Sequence, residues 1–235
     1  MAAVLSVVIP CYNEEQRLPR TIEQIERYLD GKETAYELIL VDDGSADGTR
    51  QVMDAASERH ASVRVEALPQ NRGKGRALAV GVAAARGDEI LVTDADLSTP
   101  IEELDKLQAA LAGGAGVAIA SRALRGSRVE VSQPAYRVLM GKGFNLIVQA
   151  VLLPGIWDTQ CGFKLFQADV ARRVFAHLTT DGFGYDPEVL YRARKQGVGI
   201  AEVPVVWRNS APTKVSPVKS SLDMLKHVLR VRFRG

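Results

Sequence analysis

Two carboxylates one residue apart, Asp94 and Asp96, close the apolar run that begins at Glu89. In an extended segment, alternation puts both on one side, where they can approach one cation through hard oxygen ligands. Such a pair suits Mg2+ or Mn2+ bridged to a diphosphate. Two acids there also serve as plain turn residues, but burying two like charges without a cation is costly. The segment Asn71-Arg72-Gly73-Lys74-Gly75-Arg76 sets three cations among glycines where a helical run opens. Exposed amides at a helix N-terminus, with Lys74 beside them, suit an anion such as a diphosphate. The spacing is not that of a P-loop, and a solvated basic turn is the plainer reading.

Two further segments could hold a base and a sugar. Pro10-Cys11-Tyr12-Asn13-Glu14-Glu15 follows the first apolar run. A planar base can stack on Tyr12 while a nearby acid accepts its imino proton, although Asn13 or Glu14 equally caps the next helix. Val41-Asp42-Asp43-Gly44-Ser45 ends the second run. Asp42 is placed to accept hydrogen bonds from a base or ribose hydroxyls, whereas Asp43 serves equally as a cap on the helix near Gly48.

Short β-branched runs alternating with helical-period segments must position these residues, and they predict a mostly parallel sheet flanked by helices. Strands are predicted at Leu5 to Ile9, Glu37 to Asp42, Val63 to Ala67, Glu89 to Asp94, Gly116 to Ser121 and Gly199 to Val206. Helices are predicted at Leu18 to Asp30, Gly48 to His60, Gly75 to Ala84 and Ile101 to Ala112. Further helices follow at Ala135 to Leu153, Val170 to Leu178, Asp186 to Gln196 and Ser220 to Arg234, with Pro204 to Pro217 irregular. Ligands bind beyond the carboxyl ends of strands in such sheets, which is where Tyr12, Asp42 and Asp94 fall.

The 235 residues, 46% of them hydrophobic, allow one sizeable core and predict a single domain spanning 1–235. A net charge of +2 argues against a nucleic-acid partner held by a strong positive field. Cys11 and Cys161 stand far apart, outside any metal-ligand spacing, which predicts a reducing, cytoplasmic location. Met1 to Pro10 reads as a buried strand rather than a signal peptide. No stretch reaches the roughly 18–20 apolar residues of a membrane span, and the nearest, Phe144 to Trp157, is interrupted by Asn145, Gln149 and Pro154. Any membrane contact is therefore expected to be peripheral. Leu222, Leu225, Val228 and Leu229 at helical spacing, with Lys219, Lys226, Arg230, Arg232 and Arg234, suit an anionic leaflet, or a helix docked on the protein with solvated cations.

VVIPCYNEE, LILVDDGSADGT, NRGKGRAL and VTDADLS, in this order, resemble the motifs of the inverting, family-two glycosyltransferases of A-type fold. In the second half ASRALRGS, RVLMGKGFNLIV, DTQCGFKLF and EVPVVW resemble the dolichyl-phosphate glucosyltransferases and, more distantly, the dolichyl-phosphate mannose synthases. The resemblance implies that Pro10, Tyr12, Glu14 and Asp42 hold the nucleobase and ribose, while Asp94 and Asp96 address the donor diphosphate through Mg2+ or Mn2+. It implies that Arg122 and Arg137 receive the acceptor phosphate and that Asp158, Gln160 and Lys164 line the sugar–acceptor region. Thr213-Lys214 replaces the Ser-Lys pair that closes over the donor, making Lys214, with Arg208, a candidate diphosphate contact. Residues 1–128 become a nucleotide-sugar half and 129–235 an acceptor half.

The implied reaction moves a hexose from UDP-glucose, or from GDP-mannose as the alternative, to a polyprenyl phosphate on the cytoplasmic face of a membrane. A phosphate acceptor is already charged, so no strong base is needed, and a single displacement inverts the anomeric centre. The resemblance also implies an N-terminal membrane anchor, which Met1 to Pro10 does not resemble and whose lack leaves a soluble acceptor open. A hydroxyl acceptor would require a carboxylate base such as Asp158. A silent nucleotide-sugar-binding module is disfavoured by the intact pair Asp94 and Asp96, and a nucleotidyltransferase by the lack of its Gly-rich signature near the first strand.

Overall fold

A computed structural model describes residues 4–32, 34–131, 135–209 and 226–233, the side chains of Ala135 and Arg137 excepted. Strands β1 (Leu5–Cys11), β2 (Tyr36–Asp42), β3 (Val63–Ala67), β4 (Glu89–Val92), β5 (Val117–Ser121), β7 (Lys164–Gln167) and β8 (Ile200–Pro204) form one seven-stranded sheet. Its order is β3-β2-β1-β4-β7-β5-β8, parallel except for β7, which runs against both neighbours. Strands β6 (Arg128–Val131) and β9 (Val206–Arg208) pair as a separate ribbon.

β1 is apolar but for Ser6 because both of its faces are covered, and the buried Ser6 hydroxyl donates to Glu37 at 2.7 Å. Val8 packs into a core under one layer of helices, and Leu5, Val7 and Ile9 pack under the other. Helix α1 (Leu18–Asp30) buries Leu18, Ile22, Ile25 and Leu29, a single helical face, and carries a proline in its first turn, where no amide partner is lost. Each of these side chains is worth about 1.5–3 kcal/mol on full burial. Helix α2 (Thr49–Arg59) precedes β3. Helix α3 (Lys74–Ala84) lies against β1 through small residues, since a Cβ at Gly81 would overlap the Val8 side chain. That close approach fixes where the α3 N-terminus, and hence Lys74, meets the ends of the strands.

The remaining helices are α4 (Leu104–Ala112), entered through a 3-10 turn at Ile101–Glu103, α5 (Ala135–Val151), α6 (Ala168–Ala176) and α7 (Tyr185–Lys195). Residues 226–233 are helical. Four departures from the sequence reading matter. β4 stops at Val92 rather than Asp94, so the acidic pair lies in a turn. The antiparallel β7 falls where no strand is predicted, between Ser121 and Gly199. β6 also went unread, its burial pattern being wholly exposed. Part of the segment expected to be irregular is β9, held by its pairing with β6.

Candidate active site

The loops after β1 and β2 are tied to each other. Asn13, at a positive φ of 57°, accepts the Ala46 amide at 2.8 Å, and its own amide donates to Ser45 Oγ at 3.0 Å. Asp42 accepts the Ser45 amide at 2.9 Å, and the Glu14 amide donates to Thr49 Oγ1 at 2.7 Å. Pro10 sits opposite Val41 in the sheet register. Tyr12 stands exposed beside this bridge, while the Glu14 carboxylate pairs with Arg17 at 2.8 Å. An exposed ring beside fixed backbone and the buried Asp42 gives a surface on which a base can stack.

Asp43 does not cap α2. It accepts the amides of Arg72 and Gly73, both at 2.8 Å, and Asn71 Nδ2 at 3.1 Å. Burial, reinforced by the charge of Asp42, holds its carboxyl above the ordinary value despite the amide bonds. The N-terminus of α3, expected to cradle a diphosphate, thus already holds a carboxylate of the chain itself. Two of the three expected cations are also engaged, Arg72 and Arg76 pairing with Asp181 at 3.3 and 3.1 Å. Lys74 alone turns to the acidic pair, its Nζ 2.5 Å from Asp94 Oδ1.

Asp94 and Asp96 lie in one tight turn rather than on a strand: the Leu97 amide donates to the Asp94 carbonyl at 3.2 Å, and the Ser98 amide donates to Asp96 Oδ1 at 2.9 Å. Burial raises the Asp96 carboxyl, and the like charge of Asp94 raises it further. Burial also acts on Asp94, but Lys74, then Lys164 and Arg122, outweigh it and hold that carboxyl below its ordinary value. Among the described residues no third acid, histidine or cysteine joins the pair. Two hard oxygen donors with mutual repulsion nonetheless fit Mg2+ or Mn2+, whose remaining ligands come from a diphosphate and water.

β7 closes the site because it is antiparallel, so its beginning lies beside the ends of β4 and β5, with Lys164 in register with both Val92 and Ile119. The segment leading into it therefore reaches the acidic turn, where a Cβ at Gly162 would overlap the Asp94 carboxylate. Asp158 grips Arg122 through Nε at 2.7 Å and Nη2 at 2.9 Å, and also accepts the Arg122 amide at 2.9 Å. Glu202 accepts the amides of Trp157 and Asp158 at 2.7 and 2.9 Å, and the Arg122 guanidinium lies 5.3 Å from the Trp207 ring centre. Burial raises the Asp158 carboxyl, but Arg122 overrides this and holds it below the ordinary range. The Gln160 amide donates to Asp158 at 3.3 Å, closing the same turn.

Two site assignments change. Lys164 does not line the acceptor region: it is fully buried, paired with Asp186 and donating to the Cys161 carbonyl at 2.5 Å. Its charge helps hold the Asp94 carboxyl below its ordinary value. Arg208 pairs with Glu130 at 2.6 Å across the β6–β9 ribbon, so its expected diphosphate contact is replaced by a cross-strand ion pair. Lys214 and the Thr213-Lys214 pair lie outside the described residues, as does the side chain of Arg137. The sequence reading missed Tyr185 and Asp186, although an aromatic–acid pair opening a helix was a visible signal. Lys74 and Lys164 stand 5.5 and 5.8 Å from the Tyr185 ring centre, so two Lys–Asp pairs share one buried aromatic.

Residues 6–175 match the family described as Glycosyl transferase family 2. The chain belongs to that family. It is 37% identical to dolichyl-phosphate beta-glucosyltransferase of Homo sapiens over 98% of this chain and 75% of that protein. The protein of the same name from Dictyostelium discoideum is 36% identical over 98% and 74% of the two chains, and that from Saccharomyces cerevisiae 31% over 97% and 74%. The fold is shared with glucosyl-3-phosphoglycerate synthase from Mycobacterium tuberculosis, solved with Mn2+, UDP-glucose and phosphoglyceric acid. That likeness has a TM-score of 0.74 at 21% identity, over 98% of this chain and 79% of the other.

Proposed function

We propose that this family-two glycosyltransferase moves glucose from UDP-glucose to a polyprenyl phosphate, with Mg2+ or Mn2+ at Asp94 and Asp96. The observation that carries the choice of acceptor is the Arg122–Asp158 clamp. A hydroxyl acceptor needs a carboxylate to take its proton. Asp158, the candidate for that task, is buried, bidentate to a guanidinium and depressed in pKa, which makes it a poor base. A phosphate acceptor brings its own charged oxygen and needs a cation instead. With its Nε–Nη2 edge fixed by Asp158, Arg122 offers Nη1 to such an oxygen in a set orientation. The naming of the relatives supports the same acceptor class and the beta product that inversion gives.

In this reading Pro10, Tyr12, Glu14 and Asp42 hold base and ribose, and residues 1–128 bind the donor. Residues 129–235 serve the acceptor together with Arg122, which its grip on Asp158 ties to that half, and Arg137 and Gln160 assist it. A divalent metal supplies charge neutralisation at the departing diphosphate. Lys74 holds one of its phosphate oxygens, with Lys214 as a further contact, and the clamp aligns the incoming oxygen.

Among the described residues no helix is long and apolar enough to cross a membrane. Contact with the cytoplasmic face of a membrane falls instead to the outer side of α5. Tyr136, Leu139, Leu146 and Ile147 are exposed there, and the charged residues of the helix, Arg137 and Lys142, are both basic. At the C-terminal helix the docked reading holds for Val228 and Val231, which sit in the core, leaving Leu229 and Phe233 outside. Leu222 and Leu225 lie outside the described residues.

The test is transfer of radiolabelled sugar from UDP-glucose and, separately, GDP-mannose to a short polyprenyl phosphate, with Mg2+, Mn2+ or chelator. Metal-dependent labelling from UDP-glucose is expected. Labelling from GDP-mannose alone moves the donor assignment, and nucleotide-sugar binding without lipid labelling overturns the acceptor.

A further inference from the structure

Lys74 occupies the oxygen that a metal would take. Its Nζ lies 2.5 Å from Asp94 Oδ1, and its two cationic neighbours in the motif, Arg72 and Arg76, are turned away to Asp181. Lys164 and Arg122 add two more positive charges that Asp94 feels. A dication approaching alone meets all three charges and has to displace Lys74 to reach Asp94 Oδ1. A nucleoside diphosphate changes both conditions: its oxygens complete the metal's ligands, and its negative charge gives Lys74 a new partner. The Tyr185 ring 5.5 Å from Nζ keeps the ammonium in an aromatic-lined site within reach of either partner.

Resting on the donor site assigned above, we propose that Lys74 is an exchangeable counter-ion that holds Asp94 against metal alone. It passes to the diphosphate when metal and nucleotide arrive together. Metal and nucleotide then bind cooperatively and, by linkage, reciprocally. Removing the ammonium acts in opposite directions on the two ligands, metal alone binding more tightly and nucleotide more weakly. A residue with a merely structural role moves both the same way.

The experiment follows Mn2+ binding to the full chain by the electron paramagnetic resonance of free Mn2+, with and without UDP. Wild type, Lys74→Met and Lys74→Arg are compared, and thermal melts check folding. For wild type, UDP strengthens Mn2+ binding by about tenfold or more, within the ordinary range of coupling. Lys74→Met binds Mn2+ alone about tenfold more tightly than wild type and loses most of that coupling. Lys74→Arg, which keeps the charge, stays close to wild type. Mn2+ affinity in Lys74→Met that is equal to or weaker than wild type overturns the proposal, with Lys74→Gln standing in if the first variant does not fold. Equal wild-type affinity with and without UDP overturns it as well. If Mn2+ binds in neither condition, the donor-site reading itself falls and the counter-ion role with it.

Discussion

Replacing Gly162 with alanine sets one methyl group against Asp94 without touching the acidic turn itself. A Cβ at that position lies 2.6 Å from Asp94 Cγ and 3.0 Å from Oδ1. Carbon atoms in good contact stand about 3.5–4.0 Å apart, so the carboxyl has to retreat by roughly 1 Å. A misplacement of that size at a reacting centre can cost about 100-fold in rate, or about 2.7 kcal/mol of activation free energy. The folding cost is smaller, because the methyl meets the end of a side chain rather than backbone. Overpacking of about 1 kcal/mol lowers Tm by roughly 2–4 °C in a chain of this size. The assay measures kcat for glucosyl transfer and Mn2+ affinity in the presence of UDP, beside a thermal melt. Turnover within about twofold of wild type, with Mn2+ affinity unchanged, would refute the placement of Asp94 at the metal.

Asp96→Asn abolishes metal-dependent transfer yet raises Tm. Its folded pKa lies above the unfolded one, so ionisation costs stability above the unfolded pKa, and asparagine removes that cost while still accepting the Ser98 amide. A fall in Tm on calorimetry contradicts this. Asp158 has the opposite sign: its contribution is present above the unfolded pKa of about 4 and is lost as pH falls through the lower folded value. Urea unfolding of Asp158→Asn at a series of acidic pH values therefore shows a shallower dependence on pH than wild type, and an unchanged slope counts against the clamp. Lys164→Met strands the buried Asp186 and costs about 3–5 kcal/mol. The double variant Lys164→Met/Asp186→Leu recovers most of that loss in urea titrations, and a double variant no more stable than the single one speaks against the pair.

The first half of the chain was legible because its code is local. β1 and β2 are buried on both faces and so are apolar along most of their length, β1 ending just before Tyr12 and β2 at Asp42. What stayed hidden are choices of partner made across the chain. Asp43 reads as a cap for α2, the next helix, yet it serves α3 about thirty residues on, because the amides of Arg72 and Gly73 come within 2.8 Å. Asp94 and Asp96 were expected on the pleat of a strand, whereas they lie in a turn closed by the Leu97 amide on the Asp94 carbonyl. Arg122 and Asp158 were both picked out, whereas their mutual clamp, which removes Asp158 as a base, depends on a contact 36 residues apart.

The four residues of β7 explain why the second half of the chain was the harder one. A search at the carboxyl ends of parallel strands looks in the wrong direction along an antiparallel insertion, whose amino end is the one beside the ligand. Asp158 and Gly162 precede β7, and Lys164 opens it between Val92 of β4 and Ile119 of β5. One short segment thereby supplies the grip on Arg122, the close backbone under Asp94 and the buried ammonium below it. On the proposed assignment of Asp94 to the donor and Arg122 to the acceptor, this segment couples the two chemistries. A perturbation at 158–164 is for that reason expected to move metal affinity and acceptor KM together, whereas one at Tyr12 or Asp42 moves donor KM alone. Steady-state kinetics with each substrate varied in turn separate the two patterns, and acceptor KM rising with no change in Mn2+ affinity for Gly162→Ala would break the coupling.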